Sequence, residues 1–177
     1  MKEESKKFIN IIVRYLILAL IAISGFDLFY FFFLPLTEYP VFYLLSFFYD
    51  PVILGKAIFV ANKSIEIVGA CVAGSAYYFL FILNLSTPNI KILKRLKMLF
   101  FACMVFLVIN ILRIFVLSIM YINDSQFFDF THKLFWYLGS TIFIVIIWFM
   151  QVKKNKILSI PCYSDLKFIY GKSSLKK

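Results

Sequence analysis

Long apolar runs separated by short polar segments dominate the chain. The first run covers residues 8–36, and three others cover approximately residues 67–85, 98–122 and 132–150. Each is close to or above the length of about 20 residues that a helix needs to cross a bilayer. The pattern predicts an all-α integral membrane protein, a compact bundle of four main transmembrane helices.

The first run follows the basic segment MKEESKK, which raises the alternative of a signal peptide. The apolar region of a signal peptide is typically about 7–15 residues long. This run continues well beyond Gly25. We therefore expect it to remain in the protein as an uncleaved membrane anchor.

The segment between the first and second spans, residues 37–65, mixes apolar and polar residues. The pair Asp50-Pro51 interrupts it, because proline lacks a backbone donor and disfavours helix in the residue before it. We expect one or two short helices here, lying at the membrane interface or folded over the bundle. The segment IFVANKSIEIV has two apolar stretches around Asn62-Lys63-Ser64, and it predicts a small hairpin on the outer side, between spans 1 and 2.

Composition supports the membrane assignment and changes how the charge is interpreted. Hydrophobic residues make up 63% of the chain and its mean hydropathy is +0.90, well above ordinary soluble domains. The formal net charge of +10 is compatible with nucleic-acid binding, but no nucleic-acid-binding motif accompanies it. Most of the cations instead flank the apolar runs, so we interpret them as orientation signals.

The distribution of lysine and arginine predicts the topology. Cations are concentrated in the N-terminal segment, in the connector at residues 91–97 and in residues 153–177. If these segments are cytoplasmic, the outer half retains only Lys56, Lys63, Arg113 and Lys133. We therefore expect cytoplasmic N- and C-termini, with a transmembrane catalytic bundle at residues 1–152 and a basic cytoplasmic tail at residues 153–177.

Three reactive side chains fall at a similar depth near the outer face in this topology. Cys71 lies about one turn into the second span, and His132, the only histidine, begins the fourth. Arg113 lies sixteen residues after Lys97, or about 24 Å along the third helix. Each has an alternative role, as a packing thiol, an interfacial imidazole or a guanidinium that reaches the interface. Their common depth favours a shared site.

The three groups fit nucleophilic catalysis. Neighbouring cations favour the reactive thiolate, and His132 can pair with the thiol and later protonate a leaving amine. Arg113 suits the binding of an oxyanion or a substrate carbonyl, and Asn110, one turn earlier, is placed to brace it. Asp27 and Glu66 are further outer-half acids, for which solvated positions are the simpler expectation. Without a second histidine or a close set of carboxylates, we expect no metal site and no cofactor.

At these residues the sequence resembles the archaeosortase/exosortase family of membrane transpeptidases. The matching pieces are the AC pair ending at Cys71, the N-x-x-R of NILRI ending at Arg113, and the histidine of FTHKLFWYLG, His132. The resemblance covers approximately residues 55–150, and the short chain is similar to the compact archaeal branches. Many members have a glycine two positions after the cysteine, where this chain has Ala73.

The resemblance implies a thiol protease or transpeptidase of the cell membrane. Cys71 would be the nucleophile, His132 the acid/base and Arg113 the stabiliser of the oxyanion or substrate. The implied substrates are exported proteins with a C-terminal sorting signal, composed of a short motif, a transmembrane helix and a basic tail. Their new C-terminus would pass to an amine, such as one carried by a membrane lipid, on the extracytoplasmic side.

Two other classes remain open from the residues alone. One is a non-catalytic membrane scaffold or assembly partner in which the three polar side chains serve helix packing. The other is a small transporter component with Arg113 on the solute path, which the scarcity of intramembrane acids disfavours. Cys103 and Cys162 are expected on the inner side, too far from Cys71 for a disulfide.

Overall fold

The structure of the protein is a computed structural model that describes residues 2–25, 27–55 and 57–172. Its elements follow one another as α1 (Lys2–Ile23), α2 (Asp27–Ser46), β1 (Val52–Leu54), β2 (Ala57–Val60), β3 (Lys63–Glu66), α3 (Gly69–Val72), α4 (Gly74–Leu85), α5 (Ile92–Ile122), α6 (Phe128–Leu134), a π-helical turn (Phe135–Gly139), α7 (Ser140–Asn155) and α8 (Tyr163–Lys172).

Helices form 75% of the chain, and this agrees with the predicted class of an all-α membrane protein. Three helical segments are long and apolar enough to cross a membrane: Asp27–Ser46, Ile92–Ile122 and Phe128–Asn155. A shorter apolar segment, Gly69–Leu85, comprises α3 and α4. The chain is therefore a membrane protein with at least three helices of spanning length.

The first apolar run is two helices, so the expectation of one continuous anchor over residues 8–36 is wrong. The break follows from Gly25, which adopts a left-handed conformation (φ +65°) that ends α1. Both helices nevertheless contact α4, α1 through Leu18 and α2 through Phe29. Tyr78 of α4 donates a hydrogen bond to the Leu18 carbonyl of α1, and the neighbouring Tyr77 stacks on Phe29 of α2.

Helix α2 continues to Ser46, so the expectation of separate short interfacial helices after residue 37 is wrong for this part of the segment. Two prolines, Pro35 and Pro40, lie inside it. An interior proline costs a helix about 3 kcal/mol. Both Val41 and Leu45 are fully buried. In a helix of membrane-spanning composition, packing against neighbouring elements rather than removal from water is what holds the helix together across its prolines.

A three-stranded antiparallel sheet of order β1-β2-β3 follows α2. The hairpin expected from the sequence is β2–β3. Its two-residue turn consists of Ala61 and Asn62, both with positive φ (49° and 60°), as a type I′ turn requires. Ile58 and Val60 are buried on the sheet face in one cluster with Val41 of α2. The sheet is thus fixed to the bundle by its apolar face.

The core surrounds α4. Tyr77 is fully buried, with its ring stacked on Phe33 of α2 at 3.8 Å between centroids. It also makes an edge contact with Phe106 of α5 at 5.0 Å. Offset and edge-to-face aromatic pairs add about 0.5–1.5 kcal/mol each to the effect of area burial. This packing fixes α4, and with it the segment that carries Cys71, against α2 and α5.

The C-terminal end of α4 is capped by two arginines. Arg95 is only 4% exposed and donates to the carbonyls of Asn84 and Thr87, while Arg14 donates to Leu85 at 2.7 Å. Cations complement the unpaired carbonyls of a helix C-terminus. Arg95 itself lies in α5, which begins at Ile92. The expectation of a basic connector over residues 91–97 is therefore wrong from Ile92 onward.

The C-terminal segment packs on the same end of the bundle. Asp165 of α8 is buried and pairs with Arg14 at 2.9 Å. The Cys162 amide donates to the Ser86 carbonyl at 3.0 Å. The first turn of α8 is thus held against the bundle by specific contacts. The rest of the basic tail, residues 173–177, lies outside the described residues.

Candidate active site

A cavity of about 780 Å³ lies among β3, α3, α4, α5 and the segment from α6 to α7. Cys71, Arg113 and His132 all line it. The three side chains singled out from the sequence therefore converge on one space, although they come from three separate helices. Their catalytic roles remain predictions.

Cys71 lies at an interruption between two helices. Helix α3 is a single turn, Gly69–Val72, and α4 starts at Gly74. Ala73 between them has left-handed dihedrals (φ 59°, ψ 49°). This conformation costs an L-residue other than glycine roughly 1–2 kcal/mol. The interruption turns the carbonyl of Cys71 away from the regular helical ladder and toward α5.

Two side chains of α5 donate hydrogen bonds to that carbonyl. The distances to the Cys71 oxygen are 3.1 Å from Asn110 Nδ2 and 3.0 Å from Arg113 Nη2. Arg113 Nη1 also donates to Ser140 Oγ at 3.2 Å. One guanidinium thus connects the short helix α3 with the start of α7. The predicted bracing of Arg113 by Asn110 takes the form of a shared acceptor.

Two polar atoms of this network are buried without a hydrogen-bond partner among the described residues: Arg113 Nε and Asn110 Oδ1. A buried donor without a partner costs about 1–3 kcal/mol. Because Arg113 Nε has almost no accessible surface, it can meet an acceptor in the cavity only after the guanidinium moves. In acyl transfer that acceptor is a carbonyl or the oxyanion derived from it.

His132 contacts the cavity from a more exposed element. Its ring stacks on Phe128 at 5.6 Å between centroids and meets Trp136 edge-on at 5.8 Å. Within the described ranges, no hydrogen bond connects its imidazole with the Cys71 thiol. Helix α6 and the π-helical turn contain no buried residue, so few packing contacts oppose movement of the imidazole within the cavity.

The π-helical turn sets which residues face the cavity. The residues of this segment that line it include a series at intervals of four: Phe128, His132, Trp136, Ser140 and Ile144. In an α-helix such a series rotates by about 40° per step. The π-helix has more residues per turn and is frequent at functional sites. The turn reduces this rotation and keeps Ser140 on the same face as His132.

Ser140 is the main addition to the predicted site. It lines the cavity and is the side-chain acceptor of Arg113. Sequence reasoning missed it because a serine near a helix start is an ordinary polar residue. The four-residue spacing from His132 is the one signal in the sequence that points to it.

The two outer-half acids differ in position. Glu66, at the end of β3, lines the cavity, whereas Asp27 is exposed in the first turn of α2 and is not among the lining residues. The structure describes no cluster of three or more histidine, cysteine, aspartate or glutamate residues suited to a metal ion. The arrangement offers a thiol, a guanidinium and an imidazole around one cavity.

We compared the chain with known proteins at three levels. No protein-family model, no curated protein and no solved structure matches it.

Proposed function

We propose that this chain is a membrane-embedded cysteine transpeptidase or protease of the archaeosortase type. The observation that carries the proposal is the convergence of Cys71, Arg113 and His132 on one cavity of about 780 Å³. A nucleophile, an acid/base and a cationic donor are the three groups that acyl transfer requires. The order of the three along the chain is the order in the family that the sequence resembles.

In the first half-reaction, His132 takes the proton of the Cys71 thiol. The thiolate attacks the scissile carbonyl, and the oxyanion is stabilised by a donor of Arg113. Collapse of the tetrahedral intermediate breaks the C–N bond, and His132 returns its proton to the leaving amine. A thioester to Cys71 remains. The hydrogen bond between thiol and imidazole that this step needs often forms only in the substrate complex.

In the second half-reaction an amine or water attacks the thioester. His132 accepts the proton of the nucleophile, and the C–S bond breaks to regenerate the Cys71 thiolate. An amine produces a new amide and hence transfer of the substrate, whereas water produces hydrolysis. An amine on a membrane lipid is the acceptor that best matches a cavity located in a membrane protein.

The topology belongs to the same proposal. Four spans, with α1 and α2 acting as one interrupted crossing, place both termini in the cytoplasm. The capping arginines Arg14 and Arg95 then lie toward the cytoplasmic face, where the lysine and arginine bias favours cations. The cavity, near the opposite end of α4 and α5, opens toward the extracytoplasmic side of the cell membrane.

The substrates we propose are exported proteins that carry a short motif, a transmembrane helix and a basic cytoplasmic tail. Their helix would dock laterally against the bundle and bring the motif to the cavity. Nucleic acid has no role in this proposal.

The test is co-expression of the chain with candidate exported proteins that have such a C-terminal signal. Cys71→Ala should abolish both substrate processing and the acyl adduct on the cysteine, measured by mass spectrometry. Cys162→Ala is the matched control, because this half-buried thiol lies at the other end of the bundle. Processing that continues in Cys71→Ala at unchanged enzyme abundance would refute the proposal.

A non-catalytic scaffold is a second candidate with an observation in its favour. Arg113 donates to a backbone carbonyl near α3 and to Ser140 of α7, as a purely structural residue would. An impermeant thiol reagent added to intact cells separates the two. The transpeptidase predicts rapid labelling of Cys71 from outside. A scaffold requires no reactive thiol and predicts no rapid labelling.

A further inference from the structure

The sheet leaves one edge free beside the cavity. β3 pairs with β2 on one side only, because the strand order is β1-β2-β3. Ile65 and Glu66 of β3, together with Ile67, line the cavity that contains Cys71. Successive side chains of a strand point to opposite faces. Because Ile65 and Glu66 lie on opposite faces, the space meets the edge of β3 at the C-terminal end of the strand, while Ser64, one step earlier on the same edge, lies outside the lining.

The register identifies the backbone groups on this edge. In the two-residue turn, the carbonyl of Val60 accepts from the amide of Lys63, so Lys63 faces β2. Partners alternate along an antiparallel strand. The amides and carbonyls of Ser64 and Glu66 therefore point away from β2. Neither residue has a further backbone hydrogen bond within the described part of the chain.

The membrane setting makes this free edge unusual. Open sheet edges do not occur against lipid, because unpaired amides and carbonyls are too costly there. They are tolerated where they line a water-filled cavity or are covered by protein. The exposed edge is therefore compatible with a membrane protein if water or a polypeptide satisfies it.

We propose that the edge of β3 binds an extended segment of the substrate as a fourth strand. Main-chain hydrogen bonds from Ser64 and Glu66 would hold the segment, in the manner of β-strand addition. The pairing would align the scissile peptide with Cys71, five residues beyond Glu66. This inference rests on the proposed function and specifies how that function recognises its substrate.

In this mode of binding, the position of the substrate and the preference for its sequence come from different parts of the site. Main-chain pairing does not depend on side-chain identity, so it accepts different sequences in the paired segment. Sequence preference then comes from side chains that contact the cavity wall at every second position. The edge supplies position and extended conformation, while Arg113 and His132 act on the peptide bond itself.

The experiment uses the full-length protein in detergent and a peptide chloromethyl ketone, acetyl-Thr-Ala-Thr-Ala-CH₂Cl, as the probe. Attack by the Cys71 thiolate forms a C–S bond and releases chloride. Iodoacetamide, which needs no strand pairing, measures the reactivity of the thiol alone. The readout is the ratio of the two alkylation rates at Cys71.

We expect N-methylation of the probe backbone at alternate residues to lower its rate at least ten-fold, while methylation at the intervening residues has little effect. Ser64→Pro, which removes one outward amide, should lower the peptide rate but leave the iodoacetamide rate unchanged.

Equal rates for the parent and all N-methylated probes would overturn strand addition, whatever the variants do. This outcome leaves the proposed function intact as long as Cys71 reacts with the peptide. A Cys71 that reacts with neither reagent would instead refute the proposed function, and the inference with it.

Discussion

Arg113 donates a hydrogen bond to the carbonyl oxygen of Cys71, at 3.0 Å, and reaches Ser140 with its other terminal nitrogen. The guanidinium thus holds the backbone that carries the thiol. Its Nε remains without a partner among the described residues. Arg113 therefore has two functions in our proposal, positioning Cys71 and stabilising the oxyanion.

Replacing Arg113 with lysine tests this dual function. Lysine keeps the positive charge but lacks the planar guanidinium group, which donates to two acceptors at once. A hydrogen bond from a charged group contributes about 1.5–3 kcal/mol, which corresponds to at least about ten-fold in rate. We expect Arg113→Lys to lower the rate of Cys71 acylation by this factor or more. Acylation at the wild-type rate would show that only the charge at this position matters.

Ser140 should act through Arg113 rather than on the substrate. We expect Ser140→Ala to lower the acylation rate about ten-fold or more, because a hydrogen bond from a charged group contributes about 1.5–3 kcal/mol. Ser140→Thr, which retains a hydroxyl, should restore most of the rate. Thr141→Ala is the control on the same cavity wall. Equal rates for the alanine and threonine variants of Ser140 would exclude the positioning function.

The left-handed conformation of Ala73 predicts opposite effects of two alanine-to-glycine changes. Ala73→Gly relieves a positive φ and should raise the free energy of unfolding by up to about 1 kcal/mol. Ala76→Gly, inside α4 and equally buried, should lower it by about 1 kcal/mol. Thermal unfolding in detergent measures both. A destabilising Ala73→Gly would mean that contacts of the Ala73 methyl group outweigh the backbone strain.

The buried pair between Arg14 and Asp165 should hold α8 on the bundle. Removing one partner of a buried pair costs about 3–5 kcal/mol. Since Arg14 keeps its bond to the carbonyl of Leu85, we expect Asp165→Asn to fall at the lower end of this range. Limited proteolysis should then cut the segment between α7 and α8 faster than in the wild type. Lys167→Gln, on an exposed position of α8, is the control. Unchanged proteolysis of Asp165→Asn would show that other contacts hold this helix.

Much of the architecture was accessible from the pattern of apolar positions. The runs predicted the membrane class, the alternation around Glu66 predicted the β2–β3 hairpin, and helix rise predicted that Arg113 lies at the depth of Cys71. These predictions depend on periodicity and length, which can be determined directly from the sequence. They place three side chains at a common depth, and these three line the cavity in the structure.

Other features depend on tertiary contacts that hydropathy does not encode. Arg95 looks like a connector cation, because the carbonyls that bind it are backbone groups and have no residue-type signature. Asp165 resembles a solvated tail residue until Arg14 is known to lie beside it. The break at Gly25 is different, because Ser24, Gly25 and Asp27 are local signals of a helix end and a helix start, within a long run that is otherwise apolar. Arg95 and Asp165, in contrast, acquire their roles from partners elsewhere in the chain.

The π-helical turn between His132 and Ser140 has a consequence for how this protein can diverge. This turn contains one more residue than a turn of α-helix, and the extra residue determines which side chains face inward. Single amino-acid replacements at its exposed positions, such as Leu138, should be accepted with little effect. Loss of one codon in the same stretch would restore α-helix, in which seven steps from His132 at about 100° each bring the serine back to within about 20° of the same face. Related chains should therefore accept loss of one residue here more readily than in the α-helical segments on either side.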